Sequence, residues 1–257
     1  MTEQFRGRRA LVTGASSGIG ADIARQLAQR GADLVLVARR ADRLDTLAAE
    51  CRLFGVDVET APADLADPQA SSALAARFPE TDILINNAGL GAFGRFTETE
   101  YDKIERMIAV NITSLTHLTR LFAPAMAARG WGRIMLVAST AGFQPVPLYA
   151  VYAATKAYVL SFGGALNVEL APSGVTTTVL CPGTTRTEFF EVAAQTKSPL
   201  IERNAMSSAD VARIGLDALA KGRATVISGA VNNAMAFGTR FAPRSLTAQL
   251  AYRIMKP

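Results

Sequence analysis

The sequence is poor in the residues that several kinds of chemistry need. His117 is the single histidine among 257 residues, which excludes a multi-histidine metal site. A Ser-His-Asp hydrolase would have to place that one imidazole beside a nucleophile. It lies mid-helix in pattern and is expected to face a neighbouring helix or subunit. Two cysteines, Cys51 and Cys181, make no disulfide framework and read as small buried apolar residues. Charged residues are only 19% of the chain, so much of it should be buried or packed against another subunit. No apolar run has the length of a membrane helix, and Met1–Arg9 lacks the apolar stretch of a signal peptide. These absences predict a soluble, reduced, cytoplasmic protein without a metal.

Acid is missing altogether from Lys221 to Pro257, which holds six basic residues: Lys221, Arg223, Arg240, Arg244, Arg253 and Lys256. The remainder has 21 basic and 22 acidic residues, so this last segment carries the whole excess behind the net charge of +5. Such a stretch can face an acidic partner, a membrane surface or nucleic acid, or dock in a homo-oligomer.

What is present is apolar residues, at 49%, in a regular order. Short β-branched runs at Arg9–Thr13, Asp33–Ala38, Val56–Ala61, Ile83–Asn86, Arg133–Ala138, Val175–Leu180 and Ala224–Ile227 read as strands. Helical patterns fall between them near 18–30, 41–54, 67–77, 98–128, 150–171 and 208–221. Alternation of this kind predicts a parallel sheet covered by helices on both faces. Runs such as Leu34–Val37 and Ile134–Val137 are apolar throughout, as strands buried on both sides require. No repeat, linker or low-complexity tract divides residues 1–257, so a single α/β domain is expected. Residues 184–206 are irregular and make a candidate lid; 231–254 reads as a partly apolar helix broken at Pro243.

The first strand runs into Thr13-Gly14-Ala15-Ser16-Ser17-Gly18-Ile19-Gly20. Glycines after a strand and before a helix allow a tight turn and close approach of backbone to a pyrophosphate, which the helix N-terminus then attracts. The second strand ends in Arg39-Arg40 where an acid would bind an adenosine ribose. Arginine there suits a 2′-phosphate, with Arg39 as the clamp and Arg40 stacking or assisting. This favours NADP(H) over NAD(H). The fourth strand ends in Asn86-Asn87-Ala88-Gly89, whose small residues let a coenzyme lie close. The fifth brings Ser139 to the carboxyl edge of the sheet, where open α/β sheets bind ligands. Tyr152 and Lys156 are four apart on one helix face, so the ammonium is expected to lower the phenol pKa and ready it for proton transfer. Asn111 sits inside a long helical pattern and needs partners; a water chain to Lys156 would supply them. Pro182, Gly183, Thr185 and Thr187 follow the sixth strand, in position to close over a nicotinamide ring. Phe93, Phe96, Phe143, Val146, Leu148, Tyr149, Phe189 and Phe190 are candidate pocket walls and suggest an apolar carbonyl substrate.

Together, Thr13-Gly14-x-x-x-Gly18-Ile19-Gly20, Asp64-Leu65, Asn86-Asn87-Ala88-Gly89, Asn111, Ser139, Tyr152-x-x-x-Lys156 and Pro182-Gly183-x-x-x-Thr187 resemble the short-chain dehydrogenases/reductases. The resemblance runs roughly from Arg8 to Ala230. It implies a Rossmann-type, doubly wound sheet of about seven parallel strands and a tetrad of Asn111, Ser139, Tyr152 and Lys156. It also implies that Asp64 contacts the adenine, that Asn87 holds the nearby strand or coenzyme, and that Lys156 bonds the nicotinamide ribose. NADP-preferring relatives often carry a basic residue near Ser17, so the coenzyme expectation rests mainly on Arg39. A homodimer or homotetramer built on helices 98–128 and 150–171 is expected, with no nucleic-acid partner. An acyl carrier or membrane surface would suit the basic tail. The rival readings are a non-catalytic dinucleotide sensor or scaffold and a membrane-surface acyl reductase.

Overall fold

The computed structural model describes residues 5–188 and 205–255. Among the described residues nine strands occur: β1 (Arg9–Thr13), β2 (Asp33–Ala38), β3 (Val58–Pro62), β4 (Ile83–Asn86), β5 (Gly132–Val137), β6 (Val175–Cys181), β7 (Thr185–Arg186), β8 (Met206–Ser207) and β9 (Thr225–Ile227). Seven of them form one sheet in the order β3-β2-β1-β4-β5-β6-β9, every pair parallel. The chain leaves β1 to one side for β2 and β3, then returns to the other for β4. That reversal opens a crevice at the carboxyl ends of β1 and β4, where such sheets take their ligands.

Period-two alternation sorts the strand residues into two cores. Ala10, Val12, Leu34, Leu36, Ile83, Ile85 and Leu180 meet α1 (Gly18–Gln29), α2 (Ala41–Arg52) and α7 (Ser208–Ala220) on one face. Leu11, Val35, Leu84, Ile134, Leu136 and Val179 meet α3 (Ala70–Arg77), α5 (Leu115–Ala128) and α6 (Ala150–Leu170) on the other. Each large aliphatic side chain so buried contributes about 1.5–3 kcal/mol of transfer free energy. This is the seven-stranded, doubly wound sheet that the sequence predicts.

Boundaries move where a side chain intercepts the backbone. The third strand starts at Val58 rather than Val56, because the Asp33 carboxylate accepts from the Asp57 N–H at 2.9 Å. Helix α3 starts at Ala70 rather than 67, after Asp67 Oδ1 takes the Gln69 N–H at 2.9 Å. The interval 98–128 is not one α-helix. It holds α4 (Tyr101–Ile108), a π-helical segment at Ala109–Ser114, and α5. The expected break at Pro243 is found between α8 (Ala230–Gly238) and α9 (Arg244–Met255). The described ends of the expected lid, Thr185–Arg186 and Met206–Ser207, pair as β7 and β8; residues 189–204 lie outside the described residues. No helix among the described residues is long and apolar enough to cross a membrane.

Candidate active site

Ser139, Tyr152, Lys156 and Asn111 are brought together beside the carboxyl end of β5. Ser139 follows that strand and caps a 3-10 turn at Thr140–Phe143, its Oγ accepting from the Ala141 N–H at 3.1 Å. The Ser139 hydroxyl also hydrogen-bonds the Tyr152 phenol. Helix α6 carries Tyr152 and Lys156 on one face, with Lys156 Nζ 5.7 Å from the centre of the Tyr152 ring. The ammonium is buried and donates to the Val137 carbonyl at 2.9 Å. Burial pushes Lys156 down to about 8, with the neighbouring Cys181 opposing that shift.

The expected lowering of the Tyr152 pKa is not what this structure has. Burial pushes the phenol up to about 12, and the Ser139 hydrogen bond pulls it down against that. The physical reason is burial of the phenol, while the Lys156 ammonium donates to the Val137 carbonyl and lies over the ring face. At neutral pH the phenol therefore keeps its proton and Lys156 keeps its charge, as a proton donor with a cationic neighbour requires.

Asn111 is fully buried in the π-helical segment, the kind of helix defect often found at functional sites. Its Oδ1 accepts from Leu90 N at 2.8 Å, and its Nδ2 donates to Leu90 O at 2.9 Å and to Thr155 Oγ1 at 3.0 Å. Thr155 Oγ1 in turn donates to the Tyr152 carbonyl at 2.7 Å. The partners this buried amide needs are thus direct bonds that tie the 86–90 turn to α6. Gly89 shows how closely these parts approach: a Cβ there would stand 3.3 Å from Lys156 Nζ and 3.4 Å from Asn111 Oδ1.

The glycine turn is held open for a ligand. Gly14 has φ +66°, and a Cβ there would meet Asn87 Nδ2 at 2.8 Å and the Ala88 Cα at 2.9 Å. Asn87 Nδ2 donates to Thr13 O at 2.9 Å and Gly14 O at 3.3 Å, so it holds the turn. Thr13 Oγ1 accepts from both Asn87 N and Ala88 N, a role for a strand-end hydroxyl that the motif spacing did not single out. Gly18 has φ +55°, and a Cβ there would meet the Thr187 methyl at 2.9 Å. The N-cap of α1, Ser17, makes no side-chain bond to the helix's first turn, which leaves those N–H groups for an incoming anion. Ile19 and Gly20 complete the turn, packed on the sheet. A turn with glycine at both left-handed positions, an uncapped helix start and nearby arginines fit a dinucleotide.

Of the two arginines after β2, Arg40 rather than Arg39 reaches the turn. It donates to Ser16 Oγ at 3.1 Å and Ser17 Oγ at 3.0 Å, while Arg39 is exposed. Asp64 already has two partners and stays about 40% exposed. Burial opposes its ionisation, but the Ala66 N–H, the Arg106 guanidinium paired with it, and the Arg39 charge hold it below its ordinary value. Its neighbour Leu65 is buried in the core. Pro182 O accepts from Thr140 N at 2.9 Å, and Gly183 packs against Asn232 of α8. Thr185 is buried, with its Oγ1 donating to Gly183 O at 3.0 Å.

Among the candidate wall residues, Phe93 and Tyr149 stand 5.2 Å apart, and Tyr149 lies 5.5 Å from Tyr152. They pack with Val146 and Ala153, and Met255 from α9 joins the cluster, a contribution from more than a hundred residues away that no local pattern announces. Phe143, on the 3-10 turn that lies along α6, packs against the sheet core. Phe189 and Phe190 lie outside the described residues. Leu148, just before α6, is the one non-glycine residue with positive φ (66°) among the described residues, and its carbonyl takes the Gly94 N–H at 2.9 Å. The sequence Gly14-Ala15-Ser16-Ser17-Gly18 has the letter spacing of a nucleophile elbow. Ser16 nonetheless serves Arg40, and His117 lies on α5, across the sheet from α1. No cluster of three or more metal-ligating His, Cys, Asp or Glu occurs among the described residues.

Residues 8–198 match the family model of the short chain dehydrogenases. A candidate ketoacyl reductase of the granaticin polyketide synthase of Streptomyces violaceoruber is 41% identical over 188 residues, covering 71% of this chain and 69% of that protein. A short-chain dehydrogenase from Sphingobium yanoikuyae, solved in complex with NADPH, superposes with a TM-score of 0.81. It is 38% identical, with 91% of this chain and 93% of that one covered. A short-chain dehydrogenase/reductase from Burkholderia phymatum, solved with NAD, gives 0.82 at 27% identity over 91% and 93% of the two chains.

Proposed function

The chain belongs to the short-chain dehydrogenase/reductase family, and from that premise we propose that it is an NADP(H)-dependent enzyme. Its reaction interconverts an apolar ketone, aldehyde or oxoacyl group with the alcohol. That it is an alcohol–carbonyl oxidoreductase with a nicotinamide dinucleotide coenzyme follows from the family and its neighbours; the NADP(H) preference and the substrate class are the proposal. One observation carries the coenzyme preference: Arg40 is joined to the glycine turn through Ser16 and Ser17, while the apolar cluster of Phe93, Val146 and Tyr149 beside Tyr152 supports the substrate class.

When bound, the nicotinamide supplies or takes the hydride. The chain handles the proton and the position. Ser139 holds the substrate oxygen by its hydroxyl. Tyr152 gives its proton to that oxygen in reduction and removes it in oxidation. Lys156, charged at neutral pH, offsets the negative charge left on the phenol and is placed to reach the nicotinamide ribose. Asn111 fixes α6 against the 86–90 turn and supports proton resupply. Arg40, with Ser16 and Ser17, favours the 2′-phosphate. Phe93, Val146, Tyr149 and Met255 form an apolar wall beside Tyr152, which suits a hydrophobic carbonyl better than a charged sugar.

The chain is read as cytoplasmic and as a homodimer or homotetramer through α4–α6, where Tyr101, Tyr158 and Val168 are exposed. Exposed Phe237, Phe241, Leu246 and Leu250 beside Arg240, Arg244 and Arg253 favour a second partner, an acidic acyl carrier or an anionic membrane. Oxidation of NADPH against a panel of ketones, aldehydes and oxoacyl thioesters, with NADH in parallel, tests the reading. Turnover of at least one apolar class with NADPH preferred is expected. Faster turnover with NADH across the panel would overturn the coenzyme assignment.

A further inference from the structure

The start of α2 holds an anion of the chain's own. Glu188 presents one carboxylate oxygen to Arg40 Nη1 at 3.0 Å and the other to Arg43. Three residues apart, the two arginines share one face of α2. Arg40 is at the same time fixed to Ser16 and Ser17 of the glycine turn. Glu188 is delivered there by the segment after β6: Thr187 lies with its methyl over Gly18. Two guanidinium groups joined to the glycine turn therefore already grip a carboxylate.

We propose that Glu188 competes with the coenzyme's 2′-phosphate for Arg40 and Arg43, so that an internal carboxylate sets the affinity for phosphorylated coenzyme. This rests on the NADP(H) reading above. The Arg43 pair, like the Arg40 pair, draws Glu188 below its ordinary carboxylate value, so it is ionised at neutral pH. A phosphomonoester brings about −1.5 to −2 charges and three acceptor oxygens. It outbids one carboxylate but cannot share the same guanidinium faces without like-charge repulsion. NADP(H) must therefore displace Glu188, whereas NAD(H), with a neutral 2′-hydroxyl, leaves the ion pairs in place. The device lowers discrimination by a fixed factor that the coenzyme's own contacts must exceed.

Calorimetric titration of the full chain with adenosine 2′,5′-bisphosphate, AMP, NADPH and NADH tests this. Replacing Glu188 by Gln keeps the side-chain length and removes the charge. The bisphosphate and NADPH should tighten about three- to tenfold, the range for half-exposed ion pairs, while AMP and NADH stay within about twofold. Glu188→Ala, checked for native circular dichroism, should act in the same direction. In an Arg43→Ala background the Gln substitution should do much less. Unchanged or weakened binding of the bisphosphate in both Glu188 variants would overturn the proposal. The coenzyme reading fails separately: a chain that binds NADH more tightly than NADPH, yet tightens on the bisphosphate in Glu188→Gln, contradicts that reading alone.

Discussion

The two ends of the crevice are built in opposite ways. At the β5–α6 end, Asn111, Thr155 and Lys156 are buried and bonded to one another's elements through neutral carbonyls and hydroxyls. At the β1–β2 end, Arg40, Arg43 and Glu188 are about 40% exposed and held by charge. Buried polar bonds fix geometry and are expensive to leave half made. Exposed ion pairs are worth about 0–1 kcal/mol each and are screened by salt. The first end is suited to placing a proton to within a fraction of an ångström. The second is suited to choosing between ligands that differ by a phosphate, and to letting go.

Substitutions can break this contrast. Apart from loss of the proton donor itself, the largest effect is expected from Ser139→Ala, which should lower kcat about 100- to 1000-fold, as for loss of one donor to a reacting oxygen. NADPH affinity should stay within about threefold, and a steady-state assay with fluorescence titration separates the two. At the other end, Arg40→Ala with Arg43→Ala should weaken NADPH about 10- to 50-fold, with kcat at saturation nearly unchanged, as charge-assisted bonds to phosphate are worth about 1.5–3 kcal/mol in all. Asn111→Ala should cost about 1–3 kcal/mol, because Leu90 loses both partners in a buried site; thermal unfolding of the unliganded chain reads it. Smallest is salt: going from about 0.05 to 0.5 M should weaken NADPH a few-fold and leave NADH and kcat alone.

pH sharpens the same contrast. Lys156 has a depressed pKa near 8, so its charge is lost as pH rises through that value in the unliganded chain. The folded state then binds fewer protons than the unfolded one between about 8 and 10.4. This group's contribution therefore raises stability with rising pH across that window and penalises the fold below it. Replacing Lys156 by Met should flatten that slope in a pH series of denaturant unfolding curves.

Much of the frame was legible because strand and helix periods are local. Leu34–Val37 and Ile134–Val137 are buried on both faces, and the glycine turn sits where its context requires. Ser139, at a strand end, and Tyr152 and Lys156, on one helix face, could be placed near one another from local pattern. What escaped depends on distance or direction. Glu188 meets Arg40 across 148 positions and Arg43 across 145, and Met255 reaches the wall from the last helix. Arg39 and Arg40 are indistinguishable as letters; Arg40 turns to the glycine loop because it is the N-cap residue of α2. The Arg106 of α4 that pairs with Asp64 lies 42 positions away, beyond any local pattern. The π-helical segment at Asn111 leaves no mark in a hydrophobic pattern that reads as one helix.

The central claim is that Tyr152 moves the proton while other residues hold the coenzyme. Single-turnover reduction of a saturating apolar ketone by NADPH, comparing the native chain with Tyr152→Phe, tests it most directly. The account predicts a loss of about 1000-fold or more in the chemical step, with the NADPH dissociation constant within about twofold. A variant that turns over at near-native rate would contradict it.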